Sequence, residues 1–361
     1  MSAAPRHVVV CGAGIMGAAT AYFLAQRGIP VTLVERTGVA CAASGKSGGF
    51  LALDWCDDSP LGPLARASFA LHAQLAGELG NDYGYRRMDT FMMAAREEGA
   101  ITGRHRVDAP AWLDGAGVVT AALGSTDTTA QVHPGRFTEA LVAGAQAKGA
   151  VLRLGVVEAV AVRDGVAYGV TVSGETVEAD AVVLAMGPWT GGFSKALRLP
   201  RIRGLKGYSV TLVGATVPAH ALFVDYRTGD GRHLEPEIFP RVDGDVYVCG
   251  MADPAALPDS AEAVTVDDAA CEVLARAAGR VSTALAGARI VRRQACYRPV
   301  TDDGLPLIGR APTMPGVYVA TGHGPWGILN APATGFALAE LIATGAATSI
   351  DLRPFDPARR P

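Results

Sequence analysis

The chain has 361 residues, 49% apolar and 19% charged. At roughly 150 residues per domain this suggests two domains, with enough buried surface to need neither disulfides nor a structural metal. Its 32 basic and 35 acidic residues leave a net charge of −3 without a long single-sign run, which argues against nucleic acid as a partner. The six cysteines form no CxxC and there is no HExxH, so no metal is expected. Apolar runs such as Ala181–Gly187 are strand-length, and the start MSAAPRHVVV carries neither a cleavable apolar region nor a lipidation signal. No membrane span is expected, and the cytoplasm is the expected location.

In chain order, His7–Cys11 reads as a buried strand, Gly14–Arg27 as an Ala-rich helix and Val31–Glu35 as a second strand, a right-handed βαβ unit. Its turn is Gly12-Ala-Gly14-Ile15-Met16-Gly17. The first glycine permits the tight turn, the second lets a pyrophosphate approach the backbone, and the third lets helix pack on strand. The helix N-terminus favours phosphate. Glu35, with Arg36 beside it, ends the second strand 23 residues after Gly12, where a carboxylate accepts both ribose hydroxyls and disfavours a 2′-phosphate. Such a turn serves FAD and NAD alike. Ser44, Lys46 and Ser47 then lie in a small-residue loop suited to a pyrophosphate or ribityl chain.

Further along, Leu64–Leu79 reads as helix, Met88–Ala95 as strand and Arg136–Lys148 as helix. Val151–Leu154, Val166–Val172 and the apolar Ala181–Ala185 read as strands. Tyr208–Val213 and Asp245–Gly250 are expected strands, Ala269–Ala286 a helix ended by Gly287, Val317–Thr321 a strand and Ala333–Thr344 a helix. The expected class is α/β. A Rossmann-like domain (residues 1–59, 125–202 and 294–361) receives an inserted α+β substrate domain (60–124 and 203–293) built on a mostly antiparallel sheet.

Seven segments occur in a recognisable order: GAGIMG (Gly12–Gly17), Glu35, ASGKSGG (Ala43–Gly49), HPGRF (His133–Phe137), ADAVVLAMGPW (Ala179–Trp189), CYRPVTDDGLPLIG (Cys296–Gly309) and ATGHGPWGILNAPATG (Ala320–Gly335). Together they resemble the FAD-dependent D-amino-acid/glycine/sarcosine oxidase superfamily, the last segment being most similar to glycine oxidases. GGFLALDWC and GHGPWGI also resemble a branch of oxidoreductases without assigned substrates. The resemblance implies FAD as cofactor, with Val157 at the adenine and Gly187 and Trp189 bordering the flavin. Gly322, His323, Gly324, Gly327 and Ile328 would pass along the isoalloxazine edge. There, backbone N–H groups and a helix N-terminus would stabilise the anionic reduced ring.

The resemblance also places Arg298 where glycine and D-amino-acid oxidases hold the substrate carboxylate, a task suited to a guanidinium fork. The plainer reading pairs Arg298 with Asp302 or Asp303. Trp326 stands where sarcosine oxidases carry a lysine. Cys296 stands where they attach flavin covalently, although a small buried residue is the plainer reading. Asp54, Trp326 and Lys206 are further pocket candidates, with a solvated surface position the plainer reading for Lys206. His323 is expected as a flavin or loop contact rather than a base.

The expected function is oxidation of a small amino acid or secondary amine bearing a carboxylate, by hydride transfer to flavin N5, giving an imine that hydrolyses. Oxygen or another acceptor would reoxidise the flavin. Two alternatives are an NAD-dependent dehydrogenase, resting on Gly12–Glu35 alone, and a flavin-bearing regulatory or assembly protein without turnover.

Overall fold

The structure, a computed structural model, describes residues 4–102 and 105–359. A six-stranded sheet runs in the order Leu307–Arg310, Val317–Thr321, Ala181–Leu184, Val8–Cys11 (β1), Val31–Glu35 (β2) and Val151–Leu154. All neighbours are parallel except the Leu307–Arg310 pairing. Alternation splits its side chains between two cores: Val8, Val10 and Leu33 face one, and Val9, Cys11 and Val34 face the other. The second core is closed by a small antiparallel sheet through Val170 and Val172.

The first core holds three helices, α1 (Ile15–Gln26), α2 (Gly62–Glu78) and α3 (Gly327–Thr344), with a fourth at Pro134–Gln146. α1 and α3 cross at glycine contact, because a Cβ on Gly335 would stand 2.6 Å from the Ala19 carbonyl carbon. The Phe23 and Phe336 rings meet edge-on beside this crossing, their centroids 5.3 Å apart. α3 begins at Gly327, six residues before the expected Ala333, and carries Pro332 inside it. Proline has no N–H to give the Ile328 carbonyl. α2 repairs the gap: His72 Nε2–H donates to Ile328 O at 3.0 Å and Leu329 O at 3.2 Å, and Ser68 Oγ accepts from Ala333 N at 3.1 Å. The helix expected from Ala333 therefore runs through Pro332 on borrowed hydrogen bonds.

The second large sheet takes Asp89–Arg96 and Val118–Gly124 together with β3 (Ile202–Val213), β4 (His220–Arg227), β5 (Glu237–Pro240), β6 (Val246–Asp253) and β7 (Arg289–Thr301). The order is β7, β3, β6, β5, β4, Asp89–Arg96, Val118–Gly124, with His233–Leu234 pairing β4 off this path. Only β4 with Asp89–Arg96 is parallel. The expected segment boundary at 293/294 falls inside β7, so Cys296 and Arg298 stand on this sheet. One face packs on the helix Asp268–Val281, whose N-terminus is capped by Asp267 Oδ1 accepting from Ala269 N. The expected continuous helix to Ala286 is interrupted, because Ser282 turns extended (φ −151°, ψ 137°) before a short Thr283–Ala286 helix. The other face looks at the dinucleotide turn. Among the described residues no helix is long and apolar enough to cross a membrane, and no group of three His, Cys, Asp or Glu is placed to hold a metal.

Candidate functional site

Between the turn after β1 and the free face of the second sheet lies a cavity of about 1240 Å³. That exceeds the roughly 300–1,000 Å³ of a single small-molecule pocket and suits a dinucleotide with a second small molecule. Gly12, Gly14, Ile15 and Met16 line it at the start of α1, and Glu35 and Arg36 at the end of β2. Gly17 does not, since a Cβ there would lie 1.8 Å from Gly12 O, so its role is helix–strand contact. Glu35 accepts N–H bonds from Ala13 at 2.7 Å and Thr37 at 3.0 Å, which fixes its carboxylate at the mouth.

Ser44, Lys46 and Ser47 also line the cavity, with different tasks. Ser44 Oγ accepts from Ile15 N at 2.9 Å, supplying α1 with the cap that Gly14 lacks. Lys46 reaches towards β7, its Nζ 3.4 Å from Ala295 O. Ser47 Oγ is buried with no partner, an orphan that a ligand would satisfy.

Val157, Gly187, Trp189, His323, Gly324, Gly327 and Ile328 complete the expected lining. Gly187 (φ +56°) and Gly324 (φ +56°) need glycine's conformation, and a Cβ on either would meet no protein atom within 4 Å, only cavity. Gly322 turns out to be structural, its Cβ position lying 2.9 Å from Thr301 Cγ2. His323 is buried and its Nε2 lies 3.1 Å from Thr334 Oγ1, while Nδ1 has no partner. Burial drives its pKa down to about 3, so the ring is neutral. These open glycine positions and orphaned atoms fit a bound FAD.

On the sheet side, Cys296 and Arg298 line the cavity from β7. The plainer reading of Arg298 fails: Asp302 is engaged by Arg203 at 3.0 Å and Asp303 by Arg359 at 2.7 Å. Among the described residues the Arg298 guanidinium has no ion pair, and its Nη2 lies 3.7 Å from the Cβ position of Gly207. Burial raises the Cys296 thiol pKa, against the lowering charges of Arg298 and Lys46.

Three candidates lie elsewhere. Lys206 is buried rather than solvated and belongs to the opposite sheet face by strand alternation. There its Nζ meets Asp253 at 3.8 Å and Thr265 Oγ1 at 3.5 Å. Asp54 is exposed on the Arg66 side, outside the cavity lining. Trp326 packs edge-on against Trp55 at 6.3 Å and does not line the cavity.

Residues without a sequence motif complete the site. Glu237 and Cys249 line its floor. The loop after β6 covers one end: Arg36 Nη1 donates to Asp259 O at 2.9 Å and Trp189 Nε1 to Pro258 O at 2.8 Å.

Comparison with known proteins agrees with this geometry. Residues 7–341 match the family described as FAD dependent oxidoreductase. An oxidoreductase of Schizosaccharomyces pombe is 32% identical, covering 98% of each chain. Glycine oxidase of Geobacillus kaustophilus is 29% identical, covering 98% of this chain and 96% of that one. The crystal structure of glycine oxidase from Geobacillus kaustophilus superposes with a TM-score of 0.82 at 25% identity, over the whole of both chains. An NAD-dependent dehydrogenase, suggested by Gly12–Glu35 alone, does not account for a match of this extent.

Proposed function

The chain belongs to the FAD-dependent oxidoreductase family of amino-acid oxidases, and on that premise we propose that it oxidises a small amine carrying a carboxylate, such as glycine, sarcosine or another small amino acid, with Arg298 as the carboxylate clamp. The supporting observation is Arg298 itself, a guanidinium on the cavity floor that has no ion pair among the described residues and whose neighbouring aspartates are held by other arginines. A cation so placed is completed by an anionic ligand, and a carboxylate takes two parallel hydrogen bonds from its fork.

Bound FAD supplies the hydride acceptor. The chain's own part is positioning. Gly12 and Gly14 with the start of α1 would receive the pyrophosphate and Glu35 the ribose hydroxyls. Val157 would border the adenine, and Gly187, Trp189, His323, Gly324, Gly327 and Ile328 the ring system. Arg298 would then fix the carboxylate so that the adjacent C–H faces the ring. His323, neutral and held by Thr334, takes no proton in this scheme.

The test is an anaerobic titration of the yellow protein with amino acids and N-methyl amino acids, read by loss of the visible flavin band. Bleaching by at least one carboxylate-bearing amine is expected. Arg298→Ala should keep its flavin and raise KM for that amine by about ten- to hundredfold, the weight of hydrogen bonds to a charged group. Stoichiometric flavin with no bleaching by any compound would favour the alternative of a flavin-bearing protein without turnover, and an unchanged KM would remove Arg298 from the site.

A further inference from the structure

Glu237 opens β5 and faces the cavity. Sheet register pairs it with Cys249 on β6, and Cys249 with Ser209 on β3. Two residues along β3 is Gly207, over which the Arg298 guanidinium lies. A carboxylate and a guanidinium thus share the cavity floor, with Cys249 between them feeling the charge of both. They are not paired with each other among the described residues. Among the described residues the one side-chain hydrogen bond to Glu237 comes from Cys249 Sγ to Oε2 at 3.5 Å, and none reaches Oε1. A half-buried carboxylate that feels a nearby guanidinium without pairing to it is open to a cationic ligand.

The approach to Glu237 carries both signs of charge: Asp225 and Glu235, both exposed, line the same cavity, as does Arg106, and Asp225 stands beside His233 at 2.8 Å. Of these, Glu235 is the one whose charge reaches Glu237. The other titratable groups of the inner wall are unsuited to receive a proton. His323 is held neutral by burial, and burial drives Tyr247 and Cys249 well up as protonated groups. Burial raises the Glu237 carboxyl too, with Cys249 and Arg298 opposing and Glu235 adding to the rise. That brings it closer to an amine than an ordinary carboxylate would be.

We propose that Glu237 receives the substrate's ammonium: Arg298 holds the carboxylate end, and Glu237 Oε1 accepts the N–H and takes its proton. The N–H bond breaks, the O–H bond forms, and the electron pair stays on nitrogen as the neutral amine. That pair is then available to form the C=N bond as the C–H is lost as hydride, for which FAD, when bound, would supply the acceptor. The assignment rests on the carboxylate-clamp reading of Arg298. It makes the pocket selective for dipolar amino acids over plain carboxylic acids of the same shape.

The experiment titrates the FAD-loaded protein with matched pairs, each amino acid beside its des-amino acid: glycine with acetate, alanine of either hand with propionate, L-proline with cyclopentanecarboxylate. Binding is read anaerobically from the flavin band, as its shift for the acids and, for an amino acid that reduces the flavin, as the concentration dependence of its bleaching. In the wild type the amino acid of a binding pair should bind more tightly than the acid. Glu237→Gln should weaken the amino acid by about ten- to hundredfold and leave the acid within a few-fold, while Glu237→Asp retains part of the preference. If no member of any pair shifts or bleaches the band, the Arg298 clamp fails and this assignment with it. If acids bind but amino acids gain nothing over them in the wild type, or Glu237→Gln weakens both alike, the Glu237 assignment alone is overturned.

Discussion

Replacing His72 by leucine tests the repair of α3 directly. His72 is fully buried in α2, and its Nε2–H serves two carbonyls at the first turn of α3, next to the cavity. Leucine keeps much of the volume but leaves those carbonyls without a donor, which costs about 1–3 kcal/mol. Burial also drives the His72 pKa from 6.5 down to about 4. A histidine depressed in this way binds fewer protons folded than unfolded between those values, so its contribution is complete above pH 6.5 and is lost as pH falls. The full shift corresponds to about 3 kcal/mol, of which about 2 kcal/mol is gone by pH 5. The variant lacks this liability. Urea unfolding followed at several pH values, with free FAD held constant because it binds only the folded state, should therefore show the leucine variant less stable at pH 7.5 and the gap closing by pH 5. A gap that stays constant over this range would refute the protonation state assigned to the ring, and the absence of a gap at pH 7.5 would refute its role as donor.

Two further outcomes follow from the packing and the cavity wall. Gly335→Val forces a side chain into the α1–α3 crossing, where even a Cβ would stand 2.6 Å from Ala19, and should cost about 1–3 kcal/mol; an unchanged melting temperature would show that the crossing yields easily. Acid precipitation of the wild type should leave the flavin in a yellow supernatant, because burial keeps the Cys296 thiol protonated despite Arg298 and Lys46. A yellow pellet would mean that those cations prevail once FAD is bound.

The dinucleotide end of the site was legible because its geometry is local: Gly12, Gly14 and Glu35 act through a turn and a strand end that the sequence itself spells out. Arg298 was legible only through its motif, and what excluded the plain ion pair, the capture of Asp302 by Arg203 and of Asp303 by Arg359, needed the folded chain. Glu237 escaped notice because no motif surrounds it; it matters through β6 and β7, which register brings alongside. Lys206 was within reach, since strict alternation along β3 separates it from Gly207 and Ser209. Asp54 and Trp326 misled because both sit inside motifs, GGFLALDWC and GHGPWGI, although membership of a motif on an irregular segment does not fix which way a side chain faces. The start of α3 was hidden for a similar reason. A proline inside an apolar stretch ordinarily marks a boundary, and only the distant His72 and Ser68 make this one tolerable.

The interleaving of the first sheet has a temporal consequence. β1 is flanked by Ala181–Leu184, which is in turn flanked by Val317–Thr321, and α1 rests on a helix that closes at Thr344. A ribosome must release the chain as far as Thr344 before the pocket for the nucleotide has its second wall. Pairings across such sequence separations also form slowly. Newly made chains therefore pass through a colourless interval in which the glycine turn exists but has nothing to close against, and the coenzyme arrives late, as the piece that locks the last helix onto the first.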